Sequence, residues 1–115
     1  MILNISFTVC CASFTSIIYE ILKKEGFDVR IGGNIGKPIL KLEKGNDKTI
    51  YVIEVSSFQL ENTKNIKPEI AVLLNISEDH LDRHNDMIEY REIKSKIFKR
   101  LFCYLNFFFW FIESF

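Results

Sequence analysis

Two stretches, TIYVIEV at 49–55 and IAVLLNI at 70–76, constrain the fold more than anything else in the sequence. Neither alternates apolar and polar residues as a strand with one wet face does. A strand that is apolar on both sides needs helices above and below it, which points to a parallel sheet. The rest of the chain supplies them. Residues 2–9 are apolar and β-prone. Phe14, Ile17, Ile18, Ile21 and Leu22 follow helical spacing, and Gly26 suits the helix end. A short strand is expected at 27–31, a turn at the glycine-rich GGNIG of 32–36, a short helix from Pro38 to 42 and a second turn at 44–47. A helix at 56–64 takes Ser56 or Ser57 as its cap. The last helix, 84–100, carries Met87, Tyr90, Ile93, Ile97 and Leu101 on one side. The expected fold class is α/β: a mostly parallel sheet flanked by helices. Strands 49–55 and 70–76 are expected to be its central neighbours, burying Val52, Ile53, Val72, Leu73 and Leu74.

Composition narrows the function classes. The 115 residues suffice for one small domain. Fifteen basic and fifteen acidic residues cancel, and no basic stripe lies outside the last helix, which argues against nucleic acid. Cys10, Cys11 and Cys103 have neither metal spacing nor a disulfide pattern, which favours a reducing, cytoplasmic setting. The apolar N-terminus lacks a basic n-region, so no signal peptide is expected. Six of the eleven Phe fall in residues 101–115. The apolar run at 101–112 is too short for a spanning helix, which needs about 20 residues, so no membrane contact is expected.

In parallel sheets, ligands bind beyond the carboxyl ends of the strands. The ionisable residues gather there. Glu54 ends the first apolar strand; it is a buried carboxylate in need of a partner, or it faces water on an edge. Ser77, Glu78, Asp79, His80, Asp82, Arg83 and His84 follow the second. Imidazole beside carboxylates can hold a divalent cation, although loop charges are usually only solvated, and Ser77 could equally cap a turn. The GGNIG loop could approach a phosphate or sugar closely, but is neither a dinucleotide fingerprint nor a phosphate loop. Lys94, on an amphipathic helix, reads by itself as a solvated side chain.

Taken in order, GGNIGKP at 32–38, YVIEVSSFQLE at 51–61, KPEIAVLLNISEDHLDRH at 67–84 and YREIKSKIF at 90–98 resemble the central, ATP-binding domain of the Mur ligases. The resemblance covers about residues 16–98. It implies a partial central domain over 1–100 and a Phe-rich tail outside the family at 101–115. SSFQLE points within the family to the member that adds D-glutamate to UDP-N-acetylmuramoyl-L-alanine in peptidoglycan biosynthesis. The implied cofactors are ATP and Mg²⁺. Glu54 would ligate magnesium, and His80 would ligate a second magnesium near the substrate. Lys94 would be carbamylated and bridge to metal, so that Lys94 and His80 are the implied catalytic residues. Asn34, Ser56 and His80 would contact the UDP-sugar substrate. Glu54, His80 and Lys94 are therefore expected to converge.

One segment departs from the family. Its phosphate loop, rich in glycine with Lys and Ser/Thr, should precede the first helix, where this chain reads SFTVCCAS at 6–13. No glycine occurs at 1–25 and no lysine before Lys23. Without glycine, backbone amides could not easily wrap a triphosphate, and no ammonium would meet it, so tight ATP binding is not expected. Both edges of the resemblance are abrupt, and the family's flanking domains are not in the sequence, as in a remnant of a split or frameshifted ligase gene. The expectation is a ligase fragment inactive alone. The alternatives are a non-catalytic module for a UDP-sugar or Mg²⁺, and a fragment acting in trans with other ligase pieces.

Overall fold

A computed structural model describes residues 5–9, 12–62, 68–72 and 87–96. Strand β1 (Ile5–Val9) leads to helix α1 (Ala12–Lys24) and strand β2 (Val29–Gly33). A 3-10 turn at Ile39–Lys41 precedes β3 (Ile50–Glu54). Helix α2 (Ser57–Asn62), β4 (Ile70–Val72) and α3 (Met87–Ser95) follow. The four strands form one sheet in the order β2-β3-β1-β4, and every pairing is parallel.

Strand β3 is buried at all five positions. Its side chains divide between two cores because successive residues point to opposite faces. Tyr51 and Ile53, with Val55 just beyond the strand, pack with Leu60 of α2, Ala71 of β4 and Ile93 of α3. Ile50 and Val52 pack with Val29 and with Ile18, Tyr19 and Leu22 of α1. The expected α/β architecture is thus present, with helices on both faces. Val52, Ile53 and Val72 are buried as expected; Leu73 and Leu74 lie outside the described residues.

One expectation about the sheet is overturned. Strand β4 is not the neighbour of β3, because β1 lies between them. The connection from β1 through α1 crosses β3 to reach β2, and the one from β3 through α2 crosses β1 in the opposite direction. Parallel crossovers are right-handed, so connections running in opposite directions place their helices on opposite faces. The two separate cores show that placement. The glycine-rich turn also begins later than expected, since Gly32 and Gly33 belong to β2.

The buried stripe of α1 differs from the one its periodicity suggests. Thr15, Ile18, Tyr19 and Leu22 turn toward the sheet, whereas Ile17 and Ile21 are 52% and 57% exposed. The helix carries more apolar residues than one stripe accommodates, so two registers fit the sequence. Its end matches expectation. Gly26 has φ +86°, its N–H donates to the Lys23 carbonyl, and the Phe27 N–H donates to Leu22. This pair of bonds is a Schellman motif, which needs a left-handed residue at the glycine position. Gly26→Ala is expected to lower stability by about 1–2 kcal/mol, read as a lower urea midpoint with unchanged helical circular dichroism.

Candidate functional site

The two oppositely directed connections leave from β1 and β3, which are adjacent, with Val9 in register with Glu54. A crevice beyond the carboxyl ends of such strands is where open α/β sheets bind ligands. Topology alone therefore marks the end of β3, and Glu54 occupies it.

Glu54 is 7% exposed, and its Oε2 has no hydrogen-bond partner among the described residues. Burial raises its pKa above the ordinary glutamate value, while the polar side chain of Asn34 and the positive charge of Lys94 oppose that rise. The edge-strand alternative for Glu54 is thereby excluded. An orphaned buried carboxylate oxygen is costly unless something pairs with it, and a divalent cation is such a partner.

Asn34 reaches Glu54 because the backbone delivers it there. Its N–H donates to the Glu54 carbonyl at 2.9 Å, and the Gly33 N–H donates to the Lys37 carbonyl at 2.9 Å. Gly33, in register with Glu54, has φ +115°. A Cβ on Gly33 would lie 2.1 Å from the Glu54 carbonyl oxygen. The GGNIG stretch thus makes a close backbone approach, to its own neighbouring strand.

Ser56 opens α2. Its Oγ accepts the Gln59 N–H at 3.3 Å, and its own N–H donates to Gln59 Oε1 at 3.1 Å. This reciprocal pair is a capping box, and it settles which of the two serines caps the helix. Lys94 is buried, 9% exposed, with its Nζ 4.7 Å from the centre of the Tyr90 ring. The reading of Lys94 as an ordinary solvated lysine is therefore overturned: Ile93, its neighbour in α3, anchors that helix to the core below the sheet.

Asn34 bonds through its backbone N–H to the Glu54 carbonyl, the charge of Lys94 acts on the Glu54 carboxyl, and Ser56 lies two residues beyond Glu54. His80, with Glu78 and Asp79, lies outside the described residues. Among the described residues no group of three His, Cys, Asp or Glu side chains is placed to hold a metal. Nor is any helix there long and apolar enough to cross a membrane. Three contributors were not singled out as site residues from sequence: Gly33, Gln59 and Tyr90. The S-x-x-Q spacing of a capping box could have revealed Gln59, and the four-residue helical spacing to Lys94 could have revealed Tyr90.

Residues 12–107 match the sequence model of the Mur ligase middle domain. A UDP-N-acetylmuramoylalanine–D-glutamate ligase of Citrifermentans bemidjiense is 48% identical over 86 residues, covering 74% of this chain and 19% of the relative. Proteins of the same name from Acinetobacter baylyi and Rickettsia felis are 46% identical over 88 residues and 49% identical over 87. Each alignment covers 76% of this chain and 19% of the relative. The chain thus spans about a fifth of the length of these relatives.

The raised pKa of Glu54 has a signed consequence. Folding favours its protonated form, so a penalty on stability sets in as the pH rises above the ordinary value of 4.5 and is fully present above the raised value. Glu54→Gln is expected to raise the urea midpoint at neutral pH. The gain should shrink as the pH falls toward and below the ordinary value of 4.5. Equal gains at both pH values would contradict this account.

Proposed function

The chain belongs to the Mur ligase family as a middle-domain sequence, and from that premise we propose that it is a cation- and substrate-binding fragment of a ligase. That ligase adds D-glutamate to UDP-N-acetylmuramoyl-L-alanine in cytoplasmic peptidoglycan synthesis, with ATP and Mg²⁺. The carrying observation is the orphaned, buried Oε2 of Glu54 beside Asn34 and Lys94, at the crevice the topology selects.

Glu54 would hold Mg²⁺, whose bound charge would neutralise anionic oxygens during activation and transfer of a carboxyl group. Asn34 would orient the Glu54 carboxylate and meet the UDP-sugar substrate. Ser56 would meet the same substrate at the start of α2, and His80 would add an imidazole toward metal and substrate. The ammonium of Lys94 opposes a cation beside it, which carbamylation resolves. The deprotonated Nζ adds to carbon dioxide, an N–C bond forms and one proton leaves to solvent, so a cation becomes an anion suited to Mg²⁺. The burial of the Lys94 side chain supports this reading.

The Gly-free, Lys-free segment 6–13 supports a further part of the reading. The chain alone would not turn over, because without glycine its backbone amides could not easily wrap a triphosphate and no ammonium would meet it. The same observation favours a second reading, a module that holds a UDP-sugar or Mg²⁺ without chemistry.

Two measurements test the proposal. With ¹³C-bicarbonate at mildly alkaline pH, the chain should show a carbamate ¹³C resonance that Lys94→Arg lacks. A resonance unchanged in Lys94→Arg, or none in the parent chain, would remove the role of Lys94. Mg-ATP should bind no more tightly than about the millimolar range, near −4 kcal/mol. Low-micromolar binding by calorimetry would overturn the inactivity of the chain alone.

A further inference from the structure

We propose that Tyr90 is a positioning residue for Lys94: its ring face holds the ammonium, so that the amine reacts with an electrophilic carbon only after leaving the ring. That the electrophile is carbon dioxide rests on the proposed function.

The geometry is that of a cation held by a fixed ring. Lys94 Nζ lies 4.7 Å from the centre of the Tyr90 ring, inside the roughly 6 Å over which a ring face attracts a cation. Both residues belong to α3, four positions apart, a spacing that puts them on one helix face. Tyr90 is 2% exposed and Lys94 9%. Packing therefore fixes the ring, and the contact lies largely out of water, where it is strongest.

A ring face that attracts a cation repels an anion. In carbamylation the ammonium first releases a proton to solvent. The nitrogen lone pair then forms the N–C bond, one C=O electron pair moves to oxygen, and a second proton leaves the nitrogen. The contact with Tyr90 is thus present before the reaction and lost after it, so its strength is subtracted from both rate and yield. The charge of Lys94 also acts on the Glu54 carboxyl, an interaction that a change in ring electronics leaves in place.

The test alters the ring's electrons and nearly preserves its shape. In the full 115-residue chain, position 90 carries phenylalanine (Tyr90→Phe) or its difluoro or pentafluoro analogue, in which fluorine withdraws the electron density that attracts a cation. Two reactions are followed. Cyanate adds to the free amine through an N–C bond, with the amine proton passing to the cyanate nitrogen, and is read by mass spectrometry of the Lys94 peptide. Carbamate is read by ¹³C resonance as ¹³C-bicarbonate is raised. Tyr90→Phe should match the parent chain, because it keeps the ring. The pentafluoro chain should react with cyanate at Lys94 about 2- to 30-fold faster than Tyr90→Phe. It should also reach half carbamylation at a correspondingly lower bicarbonate concentration, with the difluoro chain between. Lys23, exposed and 5.3 Å from the centre of the Tyr19 ring, should react equally in all chains. Equal cyanate rates at Lys94 along the series overturn the proposal, even where every chain forms carbamate and the reading of Lys94 stands. Rates that rise along the series with no carbamate in any chain keep the hold of Tyr90 and remove carbon dioxide as the electrophile. If the pentafluoro chain loses its helical circular dichroism, the difluoro chain decides alone.

Discussion

Strand β3 has no face toward water. Everything else in the domain follows from covering both of its sides. Tyr51 and Ile53 require the layer built from α2 and α3; Ile50 and Val52 require α1. The two crossovers that deliver those layers leave β1 and β3 in opposite directions and open a crevice between their ends. The same burial sets the electrostatics. A carboxylate at the end of such a strand loses its water, which is the leading cause of the raised pKa of Glu54. Fold and site therefore share one origin, the apolar run that continues as far as a single acid.

Much of this could be read from residues alone. TIYVIEV announced a strand buried on both faces, and Glu54 was legible as the anomaly at its end. Gly26 was legible because helix ends have few solutions. The stripe of α1 was not, because its surplus of isoleucine fits two rotations and only packing chooses between them. Nor was the position of β1 between β3 and β4, since pairing order depends on the direction of crossovers and leaves no local pattern. Lys94 shows the limit most clearly. Its own sequence surroundings are those of an exposed lysine, and its burial arises from α3 docking on the layer below β3, a property of distant partners.

The capping box of α2 restricts what Ser56 can offer a ligand. Its Oγ accepts the Gln59 N–H, and its hydroxyl hydrogen has the Gln59 Oε1 in reach at 3.4 Å. A hydroxyl has one hydrogen and two lone pairs. One lone pair is taken and the hydrogen is engaged, so the remaining valence is a single acceptor. A ligand that gives Ser56 a proton can be received without disturbing the helix. One that takes the hydroxyl hydrogen displaces only the 3.4 Å contact to Gln59 Oε1, because the two capping bonds, Gln59 N–H to Ser56 Oγ and Ser56 N–H to Gln59 Oε1, do not use that hydrogen. The serine can therefore meet a donor or an acceptor while the start of α2 stays capped, the donor at a free lone pair and the acceptor at the cost of one long contact.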